Sequence, residues 1–308
     1  MAKVLVTGGA GFIGSNLVRG VLERGDEVRV LDNFSTGNRA NLEGLGVEIV
    51  EGELRSYERV HNAVRGVELV YHLGALGSVP RSVQDPLTSS AVNVEGTLNV
   101  LLAARDEGVR RVVFSSSSSV YGNSAALPAT ETLPPDPISP YGVAKLAAER
   151  YCVSFSRVYQ GFETVVLRYF NVFGPRQSPH SQYAAVVPLF VTAVAEGRPV
   201  TIYGDGEQSR DFTYVGNVVD ATIRAGEANG ASGRIFNVAA GAPGSVNLLA
   251  DTIGRILELP VEKAYRDPRP GEIRNSWADV SAAAEVLGYT AAVDLEQGLR
   301  ETINHLRG

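Results

Sequence analysis

An α/β chain built on a doubly wound parallel sheet is the fold that this 308-residue sequence predicts, and three observations carry the prediction. Short β-branched runs alternate with stretches of helical apolar spacing through the first half. Glycines close several of those helical stretches. A glycine-rich turn follows the first β-branched run without a break.

In order, the runs 4–7, 28–32, 47–51, 69–73, 112–115 and 164–170 read as strands. Between them 13–24, 57–65, 90–107 and 140–159 carry apolar residues at helical spacing, and Gly25, Gly66 and Gly108 stand where a left-handed C′ residue ends a helix. Strand, helix and strand in steady alternation is the pattern of a parallel sheet covered on both faces. Beyond about residue 174 the elements shorten, and Gly, Pro and Arg become more frequent, as in Gly174-Pro-Arg-Gln177 and Asp267-Pro-Arg-Pro-Gly-Glu272. This predicts a smaller α/β C-terminal region with the character of a lid. Helical spacing at 216–228 and a strand-like run at 235–239 predict returns to the main sheet, so the division is 1–174 and 175–308 with returns near 216–240.

Composition narrows the function classes. With 44% hydrophobic and 20% charged residues the chain is expected to fold alone around a sizeable core. It has no apolar run of the roughly 18 residues that span a membrane, and Met1-Ala-Lys-Val-Leu-Val-Thr-Gly-Gly9 enters the glycine turn without a signal-peptide pattern. The expected location is cytoplasmic, with no membrane partner. A lone cysteine, Cys152, and four scattered histidines, His61, His72, His180 and His305, predict neither an internal disulfide nor a metal site. A net charge of −6 argues against nucleic acid, so an anionic ligand requires particular arginines. Among 28 basic residues only Lys3, Lys145 and Lys263 are lysines, which singles out any lysine standing in a motif.

The glycine turn predicts the cofactor. In Gly8-Gly-Ala-Gly11-Phe-Ile-Gly14, Gly8 permits the tight turn, Gly11 lets a diphosphate approach the backbone, and Gly14 allows the following helix to pack closely. About 20 residues on, Asp32 ends the second strand where a carboxylate meets a ribose diol, and Asn33 and Phe34 follow with no arginine for a 2′-phosphate. NAD is therefore expected rather than NADP. Glu53, after the third strand, is placed to meet the adenine amino group, although an exposed acidic turn is an equal reading.

Reactive groups appear in 138–149, Ile-Ser-Pro-Tyr-Gly-Val-Ala-Lys-Leu-Ala-Ala-Glu. Ser139 reads as an N-cap, Pro140 as the first helical residue, and Tyr141 and Lys145 share one helical face. The ammonium, together with a positive nicotinamide ring, is expected to lower the phenol toward neutrality and make Tyr141 a usable base. A Tyr-x-x-x-Lys pair alone also occurs on ordinary amphipathic helices. The fifth strand runs into Ser115-Ser-Ser-Ser-Ser119, hydroxyls at the carboxyl end of a central strand, where ligands of such sheets sit.

Thr7-Gly-Gly-Ala-Gly-Phe-Ile-Gly14, Phe114-Ser-Ser-Ser-Ser-Ser-Val-Tyr-Gly122, Tyr141-x-x-x-Lys145 and Leu167-Arg-Tyr-Phe-Asn-Val-Phe-Gly-Pro175 together resemble the extended short-chain dehydrogenase/reductases, and among them the nucleotide-sugar 4-epimerases. The resemblance spans nearly the whole chain and implies a Rossmann-type sheet. It also implies Ser117 as the hydroxyl on the C4 oxygen, Tyr141 as acid/base and Lys145 as its partner and a ribose ligand. Tyr169 and Phe170 match positions lining the nicotinamide pocket. The resemblance further puts Phe12, Ile13, Asn33, Ser35, Gly37, Leu54 and Leu73 on the cofactor. Asn171, Arg210 and Arg269 match diphosphate ligands, and Ser118 and Tyr203 fall on the substrate. The two arginines answer the charge problem of an acidic protein holding a diphosphate.

The implied activity is 4-epimerisation of a UDP-hexose through a 4-keto sugar. Related dehydratases and decarboxylases carry a carboxylic residue where this chain has Ser119, preceded by Ser118, and serine is a poor proton acceptor at neutral pH. Ser276 aligns with a gatekeeper that is tyrosine in epimerases restricted to glucose and galactose, so room for a C2 N-acetyl group is expected and UDP-GlcNAc and UDP-GalNAc join UDP-Glc and UDP-Gal. UDP-glucuronate 4-epimerases usually have arginine at the position of Ser178. A non-enzymatic NAD-sensing protein is the alternative from another class, and such proteins typically lose the tyrosine or lysine kept here. Relatives commonly form homodimers through two helices, here 90–107 and 140–159.

Overall fold

The computed structural model describes residues 2–123, 126–179, 185–268 and 273–307. Seven parallel strands form the central sheet. Six are β1 (Lys3–Thr7), β2 (Glu27–Asp32), β3 (Glu48–Glu51), β4 (Leu69–His72), β5 (Arg111–Ser117) and β6 (Glu163–Tyr169). The strand Arg234–Val238 is the seventh and pairs with β6 at one edge, so the order is that strand, then β6, β5, β4, β1, β2 and β3. The order reverses between β1 and β4, which opens a crevice at their carboxyl ends.

Helices α1 (Phe12–Glu23) and α2 (Tyr57–Val64) begin the flanking layers. Gly25, Gly66 and Gly108 take positive φ values of 86°, 72° and 71°, each just past a helix, as the sequence predicts. The expected helix 90–107 is interrupted. Short helices α3 (Val79–Gln84) and α4 (Pro86–Ser90) lead into a π segment, Ala91–Glu95, and only then into α5 (Gly96–Asp106). The cause is Asn93, whose side chain pairs with both the N–H and the carbonyl of Leu76, while Thr97 Oγ1 donates to the Asn93 carbonyl. These competing bonds draw the backbone off the α ladder next to a functional segment. Helix α6 (Pro140–Val158) starts as expected, with Ser139 capping and Pro140 first.

Two apolar layers sandwich the sheet. One joins Leu17, Val18 and Val21 of α1 to Val218 and Ala221 of the helix Val215–Glu227; the other joins Leu101 and Ala104 of α5 to Ala148 and Cys152 of α6. A third cluster, including Phe173, Phe190, Ile202, Leu249 and Leu299, belongs to the C-terminal part, and Phe12 and Ile13 of α1 pack against it. The glycine turn is thus gripped from both parts of the chain. Among the described residues no helix is long and apolar enough to cross a membrane.

Candidate active site

At the crevice lies a cleft of about 760 Å³. Gly8, Gly11, Phe12, Ile13 and Gly14 line it from the turn, Asp32, Asn33 and Ser35 from the end of β2, Glu53 and Leu54 from beyond β3, and Leu73 from beyond β4. A Cβ on Gly8, whose φ is +70°, would stand 2.7 Å from the Gly74 Cα, and one on Gly14 would stand 2.1 Å from the Gly8 carbonyl oxygen. Those two glycines serve backbone packing. At Gly11 the one close neighbour of an added Cβ is the Gly8 oxygen at 3.2 Å, so that glycine keeps the turn's surface low on the cleft side. No side chain caps α1 at Gly11, which leaves its first-turn N–H groups for a ligand.

Asp32 is buried and holds this turn: Oδ2 accepts from the Ala10 N–H at 2.9 Å and Oδ1 from the Phe34 N–H at 2.8 Å. A carboxylate has about four acceptor positions, so capacity for a diol remains. Below the turn, Thr7 Oγ1 meets His72 Nδ1 at 2.7 Å and also accepts from the Gly74 N–H, while Thr97 Oγ1 meets His72 Nε2 at 3.0 Å. Because the Thr97 hydroxyl already donates to Asn93, Nε2 must carry the proton and Nδ1 must accept from Thr7. Burial, helped by the Lys145 charge, pushes His72 down to about 3, so it stays neutral.

Gly37 lies outside the cleft lining, against the glycine turn, where an added Cβ would come within 2.9 Å of Ala10. Tyr169 is buried in the core, its hydroxyl 2.7 Å from Thr222 Oγ1, and does not line the cleft either. Tyr169 thus stands in the core behind the cleft, and Gly37 sits beside the two cleft residues Ser35 and Thr36 in a half-exposed loop. Sequence reasoning missed Thr36, Arg55, Ala75 to Ser78, Arg81, Val92, Gln177 and Ala185, which line the cleft mostly from irregular segments, with Arg81 in the short α3 and Val92 in the π segment. Ser178 also lies on this cleft.

A second cleft, of about 230 Å³, adjoins the end of β5. Ser118, Asn171, Arg210 and Ser276 line it, so four residues far apart in sequence and expected on a substrate meet there. Val79, Ser119, Ile138, Ser139 and Ile273 complete the lining. Tyr203 ends the strand Val200–Tyr203, receives a hydrogen bond from Gln208 on its carbonyl, and is not part of the lining. Arg269 lies outside the described residues.

The wall around Arg210 is clipped by its neighbour. Asp211, fully buried, accepts the N–H groups of Ala240 at 2.8 Å, Gly241 at 3.1 Å and Ala278 at 3.2 Å. Burial raises its carboxyl to about 6 against these three bonds. The short strand Ser209–Arg210 also pairs with Gly244–Ser245 and Asn275–Ser276.

Between the clefts, β5 carries Ser115 into the first and leads to Ser118 and Ser119 in the second. The Ser117 Oγ accepts from the Ser119 N–H at 3.1 Å and donates to Ser119 Oγ at 3.1 Å, and it stands close enough to Tyr141 to ease ionisation of the phenol, which brings the predicted serine and tyrosine together. Lys145 is buried, its Nζ donating to the Ser115 carbonyl at 2.7 Å and lying 4.8 Å from the centre of the Phe114 ring. Burial brings its ammonium down to about 8. The expected lowering of the phenol is not found in the chain itself. Desolvation raises Tyr141 above its ordinary value and Ser117 opposes this, whereas the expectation also included the positive nicotinamide ring.

A doubly wound parallel sheet with an open glycine turn at its switch point, and a tyrosine, serine and lysine at the next strand end, defines a dinucleotide-dependent α/β enzyme class. Within that class the chain belongs to the NAD dependent epimerase/dehydratase family, whose model matches residues 4–239. NAD is its cofactor, and the open turn and the Asp32 carboxylate fit that group. Over 315 residues, covering 99% of this chain and 98% of its relative, it is 39% identical to a UDP-glucose 4-epimerase of Mycolicibacterium smegmatis. The structure of a UDP-N-acetylglucosamine 4-epimerase from Methanobrevibacter ruminantium, in complex with UDP-N-acetylmuramic acid, matches with a TM-score of 0.94 and 38% identity over 99% of this chain and 98% of that one. A Thermus thermophilus UDP-glucose 4-epimerase in complex with NAD matches with a TM-score of 0.91 and 39% identity over 99% of each chain.

Proposed function

We propose that this protein is an NAD-dependent 4-epimerase of UDP-hexoses that accepts UDP-GlcNAc and UDP-GalNAc as well as UDP-Glc and UDP-Gal. The observation carrying this reading is the position of the Ser117–Tyr141 hydroxyl pair at the end of the strand that serves both clefts. Tyr141 takes the C4 hydroxyl proton while Ser117 holds the C4 oxygen. Lys145 keeps a cation next to this pair and binds the cofactor ribose. Bound NAD supplies the hydride acceptor and then the hydride donor. Between the two transfers Asn171 and Arg210 keep the diphosphate in place while the 4-keto sugar turns, and Tyr141 returns the proton. No net redox change results.

Ser118 and Ser119 at the sugar cleft support epimerisation over dehydration or decarboxylation, which need a further proton acceptor beyond C4. Small Ser276 in the same lining supports an N-acetyl group at C2, and among the described residues Arg210 is the single basic one there, which disfavours a uronate. A homodimer is part of the proposal: Val143, Tyr151 and Val158 are exposed on α6, spaced eight and seven residues apart on one face.

The test incubates the protein with UDP-GlcNAc, UDP-glucose and UDP-glucuronate, each with NAD, and follows the anomeric proton signals by NMR. The C4 epimer is expected without accumulation of NADH, fastest from a hexose or N-acetylhexosamine, and Tyr141→Phe should abolish turnover while retaining NAD. A 4-keto-6-deoxy sugar or a pentose as product would overturn the reading.

A further inference from the structure

Every backbone donor at the start of α6 is accounted for, and one acceptor is supplied from outside. Pro140 has no N–H; the Gly142 N–H goes to Ser139 Oγ at 3.1 Å and the Val143 N–H to the Ser139 carbonyl at 2.9 Å. The donor between them, the N–H of Tyr141 itself, goes to Ser82 Oγ at 3.0 Å, 59 residues away in α3. Ser82 is 1% exposed, and its own proton is committed to the Val79 carbonyl at 2.7 Å. Its oxygen is therefore fixed in orientation as an acceptor aimed at the backbone of Tyr141.

Helix α3 is the wall shared by the two clefts. Ser78, next to it, and Arg81 within it line the first, and Val79 lines the second. At the other end of the same short stretch Asn93 pins the backbone of Leu76. The segment that touches both clefts is thus held at Leu76 and, through Ser82, tied to the residue that carries the phenol.

We propose that Ser82 is a positioning residue for the epimerisation: its hydroxyl sets the backbone of Tyr141 relative to the α3 wall, so the phenol meets the C4 hydroxyl at the place where that wall seats the sugar. The proposal rests on Tyr141 being the acid/base. Ser82 touches neither clefts' ligands nor the reacting atoms; it acts through the Tyr141 N–H, which has no other acceptor within reach because the preceding helical turn does not exist.

The consequence is a split between rate and binding. In Ser82→Ala the Tyr141 N–H loses its acceptor and the helix start is free to shift, and a displacement of about 1 Å costs a reaction up to about 100-fold. Expected is a fall in kcat of about ten- to a hundredfold, with KM for the UDP-sugar within about twofold, NAD binding intact, and recovery of most of the rate in Ser82→Thr, which restores the hydroxyl. Backbone amide exchange gives a readout that needs no substrate. In the wild-type protein the Tyr141 amide should be protected to the same degree as that of Val143, and in Ser82→Ala it alone should exchange faster.

A Ser82→Ala enzyme with kcat within twofold of wild type overturns the proposal, as does an unprotected Tyr141 amide in the wild type. So does loss of rate and of thermal stability together without recovery in Ser82→Thr, since that marks Ser82 as a support of the fold alone. If the wild type turns over no UDP-sugar, the functional reading fails, while amide exchange still decides whether Ser82 holds Tyr141.

Discussion

Replacing Glu149 by Gln tests how α6, the helix of Tyr141 and Lys145, is seated. Glu149 is completely buried; its Oε1 accepts from Arg168 Nε at 2.9 Å and its Oε2 from Arg168 Nη2 at 2.8 Å, and the Ser116 hydroxyl donates to Oε1 as well. Arg168 is 1% exposed, lies 4.6 Å from the centre of the Tyr121 ring, and has a buried Nη1 without a hydrogen-bond partner among the described residues. Removing the one anion leaves a buried guanidinium uncompensated, which costs about 3 to 5 kcal/mol; Gln keeps one acceptor oxygen, so the lower end, about 3 kcal/mol, is expected. With an m value of about 3 kcal/mol/M the urea midpoint should fall by about 1 M. The double variant Glu149→Leu with Arg168→Met removes both charges and should recover most of that loss. Glu149 also raises the Lys145 ammonium through space, so its loss should move Lys145 below about 8. A midpoint within about 0.3 M of wild type for Glu149→Gln, or a double variant less stable than the single, would refute the reasoning.

Lys145 predicts an alkaline limit. With its ammonium at about 8, kcat measured from pH 6 to 10 should fall above that point as the cation is lost, and a rate flat to pH 10 would contradict the burial argument. The same shift has a stability sign: between about 8 and the ordinary 10.5 the unfolded chain binds the proton more tightly than the folded one, so this group makes stability rise with pH across that window, as denaturation at stepped pH would show. For the sugar, Ser276→Tyr should cut kcat/KM for UDP-GlcNAc by at least about tenfold relative to UDP-Glc, measured by NMR on mixed substrates; an unchanged ratio would remove Ser276 from the substrate argument.

What was legible in the sequence was what local chemistry dictates. The glycine turn, the helix-closing glycines and the Ser139-Pro140 start each need one conformation, and each adopts it. Less legible were features set by partners remote in the chain. No periodicity announces that Asn93 hooks Leu76 and interrupts a helix, or that Tyr169 turns its hydroxyl to Thr222 in the core. Helical spacing shows that Lys145 is near Tyr141 and not that its Nζ is anchored on the Ser115 carbonyl of β5. The motifs located both clefts. They did not reveal Arg81, which lines the first cleft from the short α3, or Gln177, which lines it from a loop.

The Asp211 clip has a temporal side. Its three donors belong to Ala240, Gly241 and Ala278, so the wall bearing Arg210 closes only when a residue 67 positions further along has arrived. The glycine turn, Asp32 and Ser115 all lie in the first 115 residues. A chain emerging from synthesis therefore meets its glycine turn and Asp32 early and the donors of the Asp211 clip late. The glycine turn is thus complete in the chain well before the Arg210 wall, which waits for the Ala278 amide.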